Sequence, residues 1–139
     1  MPRILVTRKE HFNAAHKMFR PDWSKEKNEA VFGKCANENW HGHNYDLFVT
    51  VEGTPHPDTG YVIDLKDLSK LLKEKVVERL DHKNINMDVP FMEGKLASTE
   101  NLAMAIWDQI ELEIPKMGDC RLHSLKLYET ERNFVELRA

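Results

Sequence analysis

The sequence predicts an α+β fold in which two helices cover an antiparallel, four-stranded sheet, in the order ββααββ. Apolar and polar residues alternate near both ends of the chain, whereas apolar residues recur at three- and four-residue steps in its middle. Strands, then helices, then strands again favour an α+β protein with an antiparallel sheet. Four strands and two helices leave at least one face or edge of the sheet uncovered, which points to oligomerisation.

The strands follow from alternation and from β-branched residues. The clearest one covers residues 45–52, and residues 4–15 are expected to be extended. Between them, residues 19–38 are predicted to form a long polar loop. Turn-forming residues fill 54–60, and a short strand is predicted at 61–63.

Two helices are predicted from apolar spacing and from capping residues. Asp64 is a suitable N-cap for the first helix. Its apolar face is predicted to comprise Leu65, Leu68, Leu72, Val76 and Leu80. The second helix begins at Ser98 or Thr99, and Pro115 is expected to stop it. Its apolar face is predicted to comprise Leu102, Ile106 and Ile110, and a terminal hairpin follows over residues 125–137.

The bulk properties describe one ordinary globular domain over residues 1–139. Hydrophobic residues make up 41% of the chain and the net charge is -3, so nothing in the totals indicates a nucleic-acid or membrane partner. No apolar run is long enough for a bilayer, and the N-terminus lacks the apolar core of a signal peptide. Cys35 and Cys120 have no disulfide-like spacing. We therefore expect free thiols and a cytoplasmic location.

The segment His41-Gly42-His43 is the first candidate for chemistry. Residues two apart on a strand point to the same side, so the two imidazoles would lie next to each other. With His16 from a neighbouring strand they would form a three-histidine zinc site with an open position, as catalytic zinc requires. On the His-x-His pattern alone, two surface histidines are the commoner explanation. If Cys35 were a fourth ligand, the centre would be closed and structural, and the protein would be a zinc-stabilised binding module.

Two further groups of residues could be either catalytic or purely structural. Asp81 and His82 follow the first helix and could form a proton relay with the Cys35 thiol, or they could merely finish the helix. Glu129 could accept two parallel N–H bonds from an aminopyrimidinone, or it could be a solvated charge at the hairpin. We assign no role to His11, His56 and His123.

Five motifs, taken together and in order, resemble the 6-pyruvoyltetrahydropterin synthase family across nearly the whole chain. They are the segments 12–16, 35–45, 80–90, 98–101 and 128–130, which read FNAAH, CANENWHGHNY, LDHKNINMDVP, STEN and YET. The resemblance implies a tunnelling fold, in which subunits form a barrel as trimers and two trimers stack into a homohexamer. It also implies active sites at subunit interfaces, so that catalytic residues come from different chains.

The resemblance assigns a role to each candidate residue. It implies a zinc ion on His16, His41 and His43, with catalysis by Cys35, Asp81 and His82. It places Glu129 on the pterin ring, with Ser98, Thr99 and Glu100 nearby. The implied substrate is 7,8-dihydroneopterin triphosphate, from which triphosphate is eliminated. The phosphate-binding residues stay open among Lys17, Arg20, Lys25, Lys27 and Lys34, and so does a requirement for Mg²⁺.

The resemblance leaves two products open, because one branch of the superfamily makes 6-carboxytetrahydropterin for queuosine synthesis. Five residues separate Cys35 from His41, which resembles the pyruvoyl-forming enzymes, whereas the carboxy-forming ones typically have fewer. We therefore favour the pyruvoyl reaction and keep the carboxy reaction as an alternative. Cleavage of the dihydroneopterin side chain is a third outcome.

Overall fold

A computed structural model describes residues 2–139 of the chain, which form one five-stranded sheet with the two longer helices packed on one face. The strands are β1 (Ile4–His16), β2 (His41–Gly53), β3 (Lys83–Asn84), β4 (Cys120–Tyr128) and β5 (Phe134–Arg138). Their order in the sheet is β3-β1-β2-β4-β5. The long strands pair antiparallel, and only the two-residue β3 runs parallel to β1, opposite Ala14 and Ala15.

Three helices accompany the sheet. They are α1 (Lys25–Phe32), α2 (Leu65–Leu72, which continues through a π turn at Lys73–Val77 into Glu78–Leu80) and α3 (Thr99–Ile110). Asp64 caps α2 by accepting from the Lys66 amide, and Ser98 caps α3 by accepting from the Asn101 amide. Among residues 2–139, no helix combines the length and the apolar character needed to cross a bilayer.

The core lies between the sheet and the two longer helices. Its side chains from the sheet include Phe12, Tyr45, Leu47, Val49, Leu125 and Leu127, all fully buried. The helices contribute Leu68, Leu72, Val76, Leu80, Leu102, Ile106 and Ile110, which are at most 1% exposed. Because each such side chain stabilises the fold by roughly 1.5–3 kcal/mol, this layer fixes the sheet against both helices.

The structure corrects several elements of the expected ββααββ arrangement. The α+β class is confirmed, but within residues 2–139 the sheet has five strands and three α-helices accompany it. Residues 61–63 form no strand, although Val62 and Ile63 are buried. Leu65 is 41% exposed and does not belong to the apolar face of α2. Pro115 does not end α3, which already stops at Ile110.

The predicted loop at 19–38 contains α1, which begins after Ser24. The Ser24 hydroxyl accepts from the Lys27 amide, and the one buried residue of the helix is polar Asn28. Asn28 is tied to the backbone of Arg20, both by accepting its N–H and by donating to its carbonyl. A helix held by an amide side chain has no apolar stripe, so the spacing of apolar residues could not reveal it.

The second face of the sheet is open in the single chain. It carries an aromatic row of Phe48, Tyr128 and Phe134, with ring centroids 5.5 Å apart for the first pair and 4.3 Å apart for the second. Phe134 is 49% exposed. This open face matches the expectation from the strand and helix count that part of the sheet lacks cover.

Candidate active site and metal centre

Three histidines meet on the helix-facing side of the sheet. His16 at the end of β1 is the register partner of His41 at the start of β2. His43 lies two residues after His41 and the core residue Tyr45 four residues after it, so both side chains point to the same side of β2 as His41. The three imidazole centroids lie 4.5–5.0 Å apart. The alternation of side chains along the strands and the pairing of β1 with β2 therefore bring together the three histidines that were predicted from the sequence.

The orientation of His16 is fixed by a backbone carbonyl. Its Nδ1 lies 2.7 Å from the oxygen of Ala97, just before α3. Since a carbonyl oxygen can only accept, Nδ1 carries the proton and the lone pair lies on Nε2. This is the second contact that metal-binding histidines usually make, because it fixes both tautomer and ring orientation.

The free ring nitrogens converge on one point with a carboxylate. His16 Nε2, His41 Nδ1 and His43 Nε2 are buried and have no hydrogen-bond partner within residues 2–139. Together with a Glu129 oxygen, these ligand atoms all lie within 4.8 Å of one another. Burial lowers the pKa of all three imidazoles, so they are neutral and can donate electron pairs near pH 7. Three imidazoles and a carboxylate suit zinc or a similar divalent transition metal.

Glu129 stands directly after β4 and is anchored from α3. Its Oε1 lies 2.9 Å from His43 Nε2, without the alignment of a hydrogen bond, and 3.9 Å from His16 Nε2. Its Oε2 accepts a short hydrogen bond from the Thr99 hydroxyl. Ser98 uses its own hydroxyl as the helix cap, and Glu100 is exposed. Of the three residues expected near Glu129, Thr99 is the one that contacts it.

The closed centre of three histidines and one cysteine does not form. Cys35 lies exposed in a short 3₁₀ turn, Gly33–Ala36, and the fourth donor near the histidines is Glu129. This removes the observation on which the zinc-stabilised binding module rested. Both Cys35 and Cys120 are free thiols, as the sequence predicted.

Asp81 and His82 form a hydrogen-bonding pair held by the backbone of Asn13. Asp81 Oδ1 accepts from the Asn13 amide at 2.8 Å, and the His82 amide donates to the Asn13 carbonyl at 2.6 Å. Asp81 Oδ2 lies 2.9 Å from His82 Nδ1. The Asn13 amide holds the pKa of Asp81 below its usual range, and His82 adds to this. The pair therefore presents an oriented imidazole, whose side chain is 78% exposed.

The pair lies at the edge of the sheet beside β1, outside the group of four ligand atoms. A cavity of about 550 Å³ next to His82 is bordered by Asn13, Gly42 and Asn44, and also by His43. Within residues 2–139, no hydrogen bond or ion pair joins the Cys35 thiol to Asp81 or His82. One chain therefore does not assemble the expected relay.

Two contacts at the site were missed by the sequence reasoning. The Ala97 carbonyl that orients His16 is a backbone group, and no residue type announces it. The contacts of Asn13 with Asp81 and His82 are likewise made by its backbone amide and carbonyl, so its residue type gives no signal.

Fold and site together define an α+β protein in which three histidines and a glutamate form a group that could hold a metal ion. The profile of the family described as 6-pyruvoyl tetrahydropterin synthase matches residues 5–139. The chain belongs to this family, as the motifs predicted.

Individual relatives agree with the family assignment. The chain is 44% identical over 130 residues to the 6-pyruvoyl tetrahydrobiopterin synthase of Homo sapiens, covering 94% of this chain and 88% of the relative. The structure of the 6-pyruvoyl tetrahydropterin synthase of Caenorhabditis elegans matches with a TM-score of 0.89 and 31% identity, covering 100% and 97%. The dihydroneopterin monophosphate aldolase of Pyrococcus furiosus is 36% identical over 128 residues, covering 91% and 90%.

Proposed function

We propose that this protein converts 7,8-dihydroneopterin triphosphate to 6-pyruvoyltetrahydropterin and triphosphate. The convergence of three buried ring nitrogens without a hydrogen-bond partner, beside Glu129, is the observation that carries the proposal. The synthases named among its relatives support the pyruvoyl product, and they do not favour the carboxy product of queuosine synthesis.

Each group of the site has a task in this reaction. His16, His41 and His43 would hold the metal, and we propose zinc, whose positive charge would acidify the carbons next to the bound side-chain hydroxyls. Glu129, steadied by Thr99, would accept N–H groups of the pterin ring. Because Oε2 already accepts from Thr99, Oε1 keeps the freer lone pairs. Ser98 and Glu100 stay candidates for secondary contacts with the ring.

The proton would be removed by Cys35. As a thiolate it would take a proton from a carbon next to a hydroxyl, and His82, oriented by Asp81, would accept and return protons. Departure of triphosphate leaves an enol that becomes a ketone. The neighbouring CH–OH group becomes C=O, and the electron pair and two protons that it loses convert the C=N bond of the ring to CH–NH, so the ring is reduced while the side chain is oxidised. No external oxidant or reductant is needed.

The placement of the relay supports an active site built from more than one chain. Asp81 and His82 lie outside the histidine group and form no hydrogen bond or ion pair with the Cys35 thiol of their own chain within residues 2–139, so we propose that they act on a substrate held by another subunit. We propose a hexamer of two stacked trimers, in which this contact and the open sheet face are both covered. With both thiols free, we place the reaction in a reducing compartment such as the cytoplasm.

The product distinguishes this function from its alternatives. Metal-loaded protein is incubated with 7,8-dihydroneopterin triphosphate, and the pterins and released phosphates are identified by mass spectrometry. A pyruvoyl product with every side-chain carbon, plus free triphosphate, is expected. A carboxylated pterin would identify the queuosine branch. A phosphate-bearing two-carbon aldehyde would identify side-chain cleavage, which the resemblance to the aldolase makes the second candidate.

Variants test the roles and the shared site. Cys35→Ala should keep metal and fold but lose turnover, and so should His82→Ala. When these two inactive proteins are unfolded together and refolded as a mixture, some sites combine an intact Cys35 with an intact His82. Recovered activity in the mixture, and in neither protein alone, supports the composite site. An inactive mixture that forms proper oligomers would refute it.

A further inference from the structure

Lys17 stands directly after β1, and its position there is fixed. It directly follows His16, and its backbone is clamped by one side chain: the amide donates to Asn86 Oδ1 and the carbonyl accepts from Asn86 Nδ2, both at 3.0 Å. Its ammonium nitrogen lies 4.3 Å from the centroid of the Trp40 ring and 4.8 Å from that of Phe19. Two aromatic faces therefore hold this charge in place.

Trp40 adopts an unusual backbone conformation to take this position. Its φ is +67°, a left-handed value that is a genuine outlier for a bulky residue. Its amide closes a turn onto the Asn37 carbonyl at 3.1 Å, and the next residue is the metal-facing His41. Strain of this kind is typical of functional sites, where the surroundings must hold it.

A cavity of about 840 Å³ opens beside Lys17 and collects positive charge. Three lysines border it, Lys17, Lys25 and Lys34, against two carboxylates, Glu29 and Glu38. No carboxylate in the part of the chain that the structure describes lies within ion-pair distance of these three ammonium groups. The cavity wall thus carries a net positive charge that the protein itself leaves unpaired.

The other two cations considered for phosphate binding are engaged elsewhere. Arg20 is paired with Asp22 at 2.9 Å. Lys27 lies 4.2 Å above the Trp23 ring and does not border the cavity. The structure therefore selects among five candidates that sequence spacing could not separate.

We propose that Lys17 binds the triphosphate group of the substrate, together with Lys34 and Lys25, which line the same cavity. This assignment rests on the proposed function, because it concerns the group that leaves in that reaction. The Met18 amide donates to the Cys35 carbonyl at 2.7 Å, so the Lys17 segment and the turn that carries the base are joined. Negative charge grows on the departing phosphate oxygen, and a fixed ammonium stabilises it there. Lys17 should therefore influence kcat as well as KM.

The test uses inorganic tripolyphosphate, which carries the charge of the leaving group without the pterin. Binding to metal-loaded protein is measured by calorimetry, and metal content is checked afterwards, because tripolyphosphate chelates divalent cations. Lys17→Gln should weaken binding roughly tenfold or more, the usual effect of losing one charge-assisted hydrogen bond. Lys17→Arg should retain most of it. Lys27→Gln, which also removes a lysine stacked on tryptophan, should bind like the wild type.

Two comparisons separate this proposal from the proposed function. If the wild type binds tripolyphosphate through Lys17 but does not convert 7,8-dihydroneopterin triphosphate, the subsite stands and the proposed function fails. If the wild type converts the substrate while a folded Lys17→Gln variant keeps its kcat, its KM and its tripolyphosphate affinity, the subsite fails. Thermal melts verify folding, and Lys34→Gln repeats the test should the Lys17 variant melt early.

Discussion

Acidification should destabilise the metal-free protein below about pH 6.5. Burial lowers the pKa of His16, His41 and His43, whereas unfolded imidazoles titrate near pH ~6.5. Between that value and the lower pKa values of the folded state, the unfolded chain binds protons that the folded protein does not. Because stability rises with pH wherever the unfolded state binds more protons, the free energy of unfolding falls as the pH drops through this window.

His16 should carry most of this effect, because it is only 2% exposed. One proton per molecule changes the free energy of unfolding by about 1.4 kcal/mol per pH unit. His41 and His43 are partly exposed, so solvent screening makes their shares smaller. For a chain of this length, the His16 share corresponds to a fall in Tm of about 4 °C per pH unit.

The measurement is a series of melts followed by circular dichroism, in chelator, from about pH 7.5 to about pH 5.5. His16→Asn should lower the Tm at every pH but flatten its dependence on pH by about the 4 °C per unit assigned to His16. His56→Gln, which removes a histidine whose side chain is 60% exposed, should keep the wild-type slope. If His16→Asn keeps that slope too, His16 is not a buried neutral imidazole and the reasoning is wrong.

Two further substitutions test the ligand anchor and the core. Thr99→Val removes the hydroxyl that donates to Glu129, so KM for the pterin should rise roughly tenfold. Thr99→Ser keeps a hydroxyl and should restore the wild-type KM. Equal KM values for the wild type and both variants would contradict the proposed anchoring of Glu129 by Thr99. Ile106→Ala opens a cavity in the fully buried face of α3 and should cost about 2–5 kcal/mol in urea unfolding. Met104→Ala on the same helix, at 49% exposure, should change the free energy of unfolding by less than about 0.5 kcal/mol, and a larger loss there would show that the two faces are misassigned.

The sequence predicted those parts of the fold that apolar residues hold together. The faces of α2 and α3 and the long strands repeat with the periods of helix and strand, and the helices begin at the predicted caps. It could not predict α1, because amide hydrogen bonds from Asn28 hold that helix in place. Nor could it predict β3, since two residues cannot show a period. Leu65 matches the spacing of the apolar face of α2 but is exposed, because a residue in the first turn of a helix can have that spacing and still face solvent.

At the site, residue types were easier to predict than orientations. The three histidines were found from the motif and from their expected positions on neighbouring strands, and they converge as expected. What fixes the tautomer of His16 is a carbonyl at Ala97, far along the chain, and this contact exists only once α3 has packed against the sheet. The same packing brings Thr99 to Glu129. Such contacts depend on tertiary structure, and no local pattern encodes them.

The position of the relay bears on whether this chemistry needs more than one copy of the chain. The Asn13 amide and carbonyl that hold Asp81 and His82 are backbone groups, so the pair lies beside β1 at the edge of the sheet. Neither residue belongs to the group formed by His16, His41, His43 and Glu129. Within residues 2–139, no hydrogen bond or ion pair brings either of them to the Cys35 thiol. The proposed reaction needs the imidazole, the thiol and the histidine group around one substrate, and a second copy of the chain would bring them together, which is the arrangement that the mixed refolding of Cys35→Ala and His82→Ala tests.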